Sequence, residues 1–166
     1  MMKHALTGQL LIASPQMDDP RFANSVILIC EHDADSAMGL IINQKTDDLD
    51  LDELATQLDI GTPKCNGDVP IHYGGPVEKS RGIVLHSTDH MIPETVTIGH
   101  VAAMTANIRI ISEIAGGQGP SEFIIALGHA GWSAGQLERE IKDNCWITMP
   151  YAHDLVFSCL SRTQWQ

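Results

Sequence analysis

One segment, residues 121–138, constrains the fold of this chain more than any other. It begins with Ser121–Leu127, an apolar run of strand length, and continues into the glycine-rich stretch Gly128–Gly135. Leu137 and Ile141 then share one helical face, which predicts a helix over residues 133–142, with Ser133 as N-cap and Gln136 completing a capping box. A strand, a glycine turn and a capped helix point backbone N–H groups at a small anion. We therefore expect a candidate site here.

The rest of the chain predicts a mixed set of elements. Strands are predicted at 9–13, 25–31, 38–43, 71–73, 82–87, 95–98, 122–128 and 145–149. Helices are predicted at 50–58, 101–115, 133–142 and 154–160. The runs at 25–31 and 38–43 are joined by turn-forming residues and predict a hairpin. Since the order is not a repeating β-α-β alternation, a doubly wound fold is disfavoured.

Length and composition predict one domain over residues 1–166. Hydrophobic residues make up 43% of the chain and charged residues 19%, which is typical of an ordinary globular protein. No apolar run approaches the roughly 20 residues that span a bilayer. The N-terminus is a poor signal peptide because its short apolar stretch soon meets Pro15, Asp18 and Asp19. We expect a cytoplasmic protein without a membrane partner.

The formal net charge of −11 bears on the class of partner. Only ten Lys and Arg residues are present, and they do not cluster, so we expect no direct DNA binding. The densest acidic run, residues 47–53, is interpreted as a solvated loop leading into the first turn of a helix. A docking patch for a basic partner protein is the alternative.

Catalytic and metal signatures are weak in this sequence. The four cysteines have no C-x-x-C spacing; Cys30 and Cys159 are expected to be structural and Cys65 exposed. His32, His86 and His129 end strand-like runs, yet no zinc motif is present, so we predict no metal site and no cofactor. No serine lies in G-x-S-x-G, and the catalytic residues stay unknown.

Two glycine-rich turns remain as candidates for a site. The turn Gly74-Gly75-Pro76 serves a hairpin corner by itself, but with Gly128–Trp132 nearby it would form a concave pocket for a small anion, a nucleotide or a peptide terminus. For the stretch Gly128–Trp132 we prefer the interpretation that the glycines serve only local geometry, with Trp132 buried beneath the turn. The candidate binding residues are Gly74, Gly75, Pro76, His86, Gly128, His129, Gly131 and Ser133.

The whole chain resembles the YqgE/AlgH (UPF0301, DUF179) family. The matching pieces are Leu6–Ala13, Ser25–Ile27 with Cys30–His32, Ala37–Asn43, Tyr73–Val77 with Leu85-His86, and Leu127–Glu138. His129 stands where the family pattern usually has tyrosine, and Ser133 where it usually has glycine. The resemblance implies an α+β fold, but no agreed activity and no agreed metal site.

Residues and resemblance together give these expectations. The fold is α+β, a single domain with a mixed, mostly antiparallel β-sheet, open or barrel-like, flanked by a few helices. The function is that of a non-enzymatic binding or regulatory module, acting on an unknown protein partner or a small anionic ligand at the glycine-rich loops. The alternatives are a transcriptional regulator, as the resemblance implies, and an enzyme that uses His86, His129 and nearby acids.

Overall fold

A computed structural model describes residues 6–17, 19–20, 22–50, 53–54, 70–99 and 101–157 of the chain. Its strands are β1 Leu10–Ala13, β2 Val26–His32, β3 Ser36–Ile41, β4 Lys45–Asp50, β5 Pro70–Tyr73, β6 Val77–His86, β7 Val96–Ile98, β8 Ala102–Thr105, β9 Phe123–Ser133 and β10 Trp146–Met149. Its helices are α1 Ile108–Ala115, α2 Gln136–Lys142 and α3 His153–Phe157.

The described strands form one curled, mostly antiparallel sheet. The order of its main path is β10-β1-β2-β3-β9-β6-β8-β7, and β4 joins through β5, which pairs with β9 in parallel. This half-barrel with short helices confirms the predicted α+β class. It also confirms the β2–β3 hairpin, in which Ile27 pairs with Ile41 and Leu28 with Leu40.

Both faces of the sheet are covered by apolar side chains. Alternate residues of a strand point to opposite faces, and Leu28 packs in one buried cluster while Ile27 and Ile29 pack in another. Trp132 is only 5% exposed and Cys30 only 1%, so both are buried as predicted. The second cluster joins Trp132 to Trp146, whose rings meet edge to face at 6.2 Å between centroids.

The predicted helix over residues 101–115 is wrong in its first half. Residues 102–105 form β8, which pairs with β6 on one side and β7 on the other. Asn107 then caps α1, its side chain accepting a hydrogen bond from the Arg109 N–H at 2.8 Å. Sheet pairing and a local N-cap thus outweigh the helical spacing of the apolar residues.

The predicted turn after residue 128 is also wrong, since β9 continues to Ser133 while pairing with β3. Gly135 is the N-cap of α2, so Ser133 is not. The Ser133 N–H and hydroxyl both donate to Gln136 Oε1, at 3.0 and 3.2 Å. Half of the expected capping box is therefore formed, but it lies ahead of the helix.

The acidic run at 47–53 is partly a strand instead of a loop, because residues 47–50 belong to β4, which pairs with β5 in an irregular register. Residues 53 and 54 are helical, and the rest of the helix predicted at 50–58 lies outside the described residues, as do Cys65, Cys159 and residues 158–160. None of the described helices has the length and apolar character that a membrane crossing needs.

Candidate functional site

The two predicted glycine turns meet where the chain crosses over β9. At Ile125 this strand has β5 on one side and β6 on the other, so residues 74–76 must pass across it. A Cβ at Gly74 would lie 2.2 Å from the Gly128 carbonyl oxygen, and one at Gly75 would lie 2.2 Å from the carbonyl carbon of His129. The predicted hairpin corner is therefore a crossover, and its glycines allow direct backbone contact.

A cleft of about 590 Å³ opens beside this crossing. Its walls come from six neighbouring strands in the order β2-β3-β9-β6-β8-β7, and we call it the sheet cleft. The side chains that line it are Glu31, Met38, Glu78, Arg81, Ile83, Glu94, Val96, Met104, Ala106 and His129. Met38, Ile83 and Met104 are buried or half-buried and form its floor, whereas the four charged side chains are exposed.

Carboxylates dominate the charge of the sheet cleft. Glu78 Oε2 is 3.2 Å from Arg81 Nη1, and this pair is about half exposed. Among the residues that the structure describes, the exposed carboxylates of Glu31 and Glu94 make no hydrogen bond or ion pair. With His129 neutral, the three carboxylates and one guanidinium of the described lining give it a formal charge of −2.

Two features of the sheet cleft are energetically unfavourable in isolation. Glu78 has a φ of +49°, in the left-handed region that ordinary residues seldom adopt. The Nδ1 atom of His129 is buried and has no hydrogen-bond partner within the described structure. Burial lowers the pKa of His129. The nearby Glu78 carboxylate raises this pKa by a smaller amount, and Arg81 lowers it. Strain and unsatisfied polar groups in one cleft are typical of functional sites.

A second cleft, of about 260 Å³, lies against Trp132, and we call it the tryptophan cleft. Pro76 and Gly131, both predicted site residues, are in its wall. Glu140 also lines it, and its Oε1 atom accepts hydrogen bonds from the indole N–H groups of Trp132 and Trp146, each at 2.9 Å. These bonds fix both rings against α2, so the cleft is part of the packing of the second core cluster.

His86 shares neither cleft, since it is fully buried. Its Nδ1 atom lies 2.8 Å from the Ser87 carbonyl oxygen, which can only accept, so Nδ1 carries the proton. Its Nε2 atom then accepts from the Thr105 hydroxyl, also at 2.8 Å. Burial lowers the pKa of His86, which suits this neutral, fully bonded ring. It holds β6 to β8 and does not meet His129 in a cleft.

His32 is bonded in a similar way. Its Nδ1 atom accepts from the Leu6 N–H at 3.3 Å, and its Nε2 atom is 2.8 Å from Glu138 Oε2. The ring therefore ties β2 to α2. In the part of the chain that the structure describes, no group of three or more His, Cys, Asp or Glu side chains is placed to hold a metal ion.

The eight predicted binding residues thus divide among several places. Gly74, Gly75 and Gly128 form the crossing, Pro76 and Gly131 line the tryptophan cleft, and His129 lines the sheet cleft. Ser133 is exposed at the end of β9, and His86 is in the core. Sequence reasoning missed the three acidic residues of the sheet cleft. Glu31 lies on β2, Glu78 lies on β6 and Glu94 lies two residues before β7, so they share no local motif.

Comparisons with known proteins agree on one family. The family model described as AlgH-like (DUF179) matches residues 10–166. A UPF0301 protein of Jannaschia sp. (strain CCS1) is 46% identical over 166 residues, covering 99% of this chain and 86% of that protein. A UPF0301 protein of Rhodospirillum rubrum is 44% identical over 160 residues, covering 95% of this chain and 83% of that protein.

Solved structures show the same likeness. The solution structure of the AlgH protein from Pseudomonas aeruginosa matches with a TM-score of 0.81 and 39% identity, covering 95% of this chain and 85% of that one. A crystal structure of a Corynebacterium diphtheriae protein, 23% identical, shares the fold with a TM-score of 0.72, covering 92% of this chain and 80% of that one. This chain therefore belongs to the AlgH-like (DUF179, UPF0301) family.

Proposed function

We propose that this chain is a non-enzymatic binding module that takes its ligand in the sheet cleft. The observation that carries the proposal is the composition of the lining, an apolar floor with unpaired carboxylates above it. A volume of about 590 Å³ suits a small organic ligand. Because each wall residue lies on a strand of one sheet or within two residues of such a strand, the sheet itself holds the cleft open.

The described lining offers little for covalent catalysis, and its histidine is not oriented as a catalytic base. None of its described residues is a serine, threonine, cysteine or lysine that could act as a nucleophile. Its one imidazole, His129, has no acceptor to orient it among the described residues, whereas a catalytic histidine is normally held by a second group. Binding without chemistry is the function that these groups favour.

The acidic lining favours a cationic ligand over the anion expected from the glycine turns. The crossing that those glycines form leaves no space between its two segments. Among the described side chains, an anion in the sheet cleft would face three carboxylates and one guanidinium, and that guanidinium is already paired with Glu78.

Methionine methyl groups allow a direct test of the site. Met38 and Met104 line the sheet cleft, while Met91 is 49% exposed and outside it. Protein labelled with 13C at its methionine methyls is titrated with hexylamine, hexanamide and hexanoate, which have similar length and different charge. Assignment of the two cleft signals comes from Met38→Leu and Met104→Leu. We expect at least one probe to shift both signals in a saturable way and leave Met91 unchanged.

A blocking variant completes the test. Val96 is 44% exposed in the cleft wall, and Ile147 is 53% exposed on β10 at the far end of the sheet. We expect Val96→Trp to abolish the shifts and Ile147→Trp to preserve them. If no probe moves Met38 and Met104 at millimolar concentration, or if both tryptophan variants behave alike, the sheet cleft is not the binding site.

A further inference from the structure

The order of charged and apolar groups along the sheet cleft identifies a ligand class. Glu31 lies on β2 at one end, Glu78 lies on β6, and Glu94 lies two residues before β7 at the other end. We infer that the occupant of the cleft is a linear aliphatic polyamine, with ammonium groups at the carboxylates and methylene segments over the floor. This inference rests on the proposed function and adds the chemical class of its ligand.

The length of the cleft fits an extended ligand. Five strand spacings separate β2 from β7 in the sheet order, which is about 24 Å along the sheet at about 4.8 Å each, and less across the curled face. A compact monovalent cation would meet only one of the carboxylates. A chain with several ammonium groups can contact two or three of the carboxylates at once, so its overall affinity exceeds that of any single ion pair.

The floor between the carboxylates suits methylene groups. Met38, Ile83 and Met104 lie between Glu31 and Glu94 in the strand order, and methionine side chains adapt to flexible apolar ligands. An inorganic cation would gain nothing from this surface. A polyamine buries its carbon segments there while its ammonium groups keep partners of opposite charge.

The positive groups of the cleft oppose this ligand only weakly. Arg81 is the one cation among the lining residues that the structure describes, and Glu78 pairs with it at 3.2 Å. His129 is held neutral near pH 7 because burial lowers its pKa. The two carboxylates without described partners, Glu31 and Glu94, are therefore the strongest contacts available to a polycation.

The test compares spermidine with heptylamine and magnesium at constant ionic strength. Binding is followed by calorimetry and by the Met38 and Met104 methyl signals. We expect spermidine to bind in the cleft more tightly than heptylamine, which has one ammonium group, and magnesium to leave both signals in place. Since an exposed ion pair contributes about 0.2–1 kcal/mol, Glu31→Gln and Glu94→Gln should each weaken spermidine binding by up to about fivefold.

Asp143→Asn is the matched control, because it removes one negative charge at the exposed end of α2, which is not part of the lining. An equal loss of affinity in this variant would show a counterion effect and overturn the inference. If hexanoate or a basic peptide occupies the cleft while spermidine does not, the polyamine is wrong and the binding module stands. If no probe shifts the methyl signals, both are wrong.

Discussion

The crossing of residues 74–76 over β9 makes a quantitative prediction about alanine substitutions. Gly74 has no positive φ, so its requirement for glycine is steric alone: an added Cβ would lie 2.2 Å from the Gly128 oxygen and 3.0 Å from the Ala126 Cβ. Both neighbours belong to a strand that is paired on both sides. Neither can move without disturbing the sheet.

The magnitude follows from overpacking. Inserting extra atoms into a packed interior typically costs about 1–3 kcal/mol, and the shortfall of about 1 Å from ordinary contact places Gly74→Ala at about 3 kcal/mol or more. A Cβ added at Gly75 would lie 2.2 Å from the His129 carbonyl carbon, and Gly75 also has a φ of +152°. Its alanine variant should therefore lose a further 1–2 kcal/mol or so.

Gly117 supplies the control. Its φ is +81°, but no atom lies within 4 Å of an added Cβ. Gly117→Ala should thus cost only the backbone strain, about 1–2 kcal/mol. Urea unfolding followed by tryptophan fluorescence gives the free energy of unfolding of each of the three variants. The midpoint temperature of thermal unfolding should fall by about 2–4 °C for each kcal/mol lost in a chain of this size. If Gly74→Ala costs no more than Gly117→Ala, the crossing can relax and the contact argument is refuted.

Three further predictions concern the core, acid stability and DNA. Trp132→Ala should destabilise the fold by about 3–5 kcal/mol because it leaves a large cavity and frees Glu140 from one indole donor, and a near-neutral effect in urea unfolding would show that the ring is not part of the core. The hydrogen bond from His32 lowers the pKa of Glu138, so this carboxylate stabilises the fold above its unfolded pKa, and that stability is lost as the pH falls through the lower folded pKa. Glu138→Gln should flatten this acidic part of the stability–pH profile. An unchanged profile would count against a stabilising His32–Glu138 pair. Binding to duplex DNA should be no tighter than about micromolar at physiological salt, and a nanomolar complex with a steep salt dependence in a gel-shift titration would contradict this.

Local signals were sufficient for the elements whose partners are close in sequence. The β2–β3 hairpin was predictable because two apolar runs of strand length flank a short turn, in which Asp33 accepts hydrogen bonds from the N–H groups of residues 35 and 36. The short strand at 96–98 and the burial of Trp132 followed from the same kind of evidence. In each case the residues that specify the structure are adjacent, or nearly so, in the chain.

The true start of the helix predicted at residues 101–115 was indicated by a local sequence signal. Asn107 is an N-cap residue six positions after the predicted start of the helix, and a cap there indicates that the preceding residues are outside it. The identity of residues 102–105 as a strand was different. It depends on pairing with β6 and β7, and the apolar sequence Ala-Ala-Met-Thr is compatible with either structure.

The sheet cleft could not be predicted from the sequence by any local pattern. Its six strands are neighbours in the order β2-β3-β9-β6-β8-β7, which only the long-range pairing of β9 produces. Of the lining residues, the sequence singled out His129 as a candidate, but it did not relate that residue to Glu31, Glu78 or Glu94. A cleft assembled across such an order becomes visible only with the topology.

Gly128 explains why one predicted site became two clefts. Ahead of it on β9, Ile124 and Ala126 pack in the same cluster as Leu28, whereas beyond it Ala130 and Trp132 pack in the cluster of Ile27 and Ile29. Even-numbered residues of a regular strand would all share one face. The irregular residue at Gly128, with a φ of +80°, reverses the alternation as a β-bulge does. His129 consequently faces the sheet cleft while Trp132 packs on the opposite face, and the crossing at Gly74 and Gly75 covers the point of reversal.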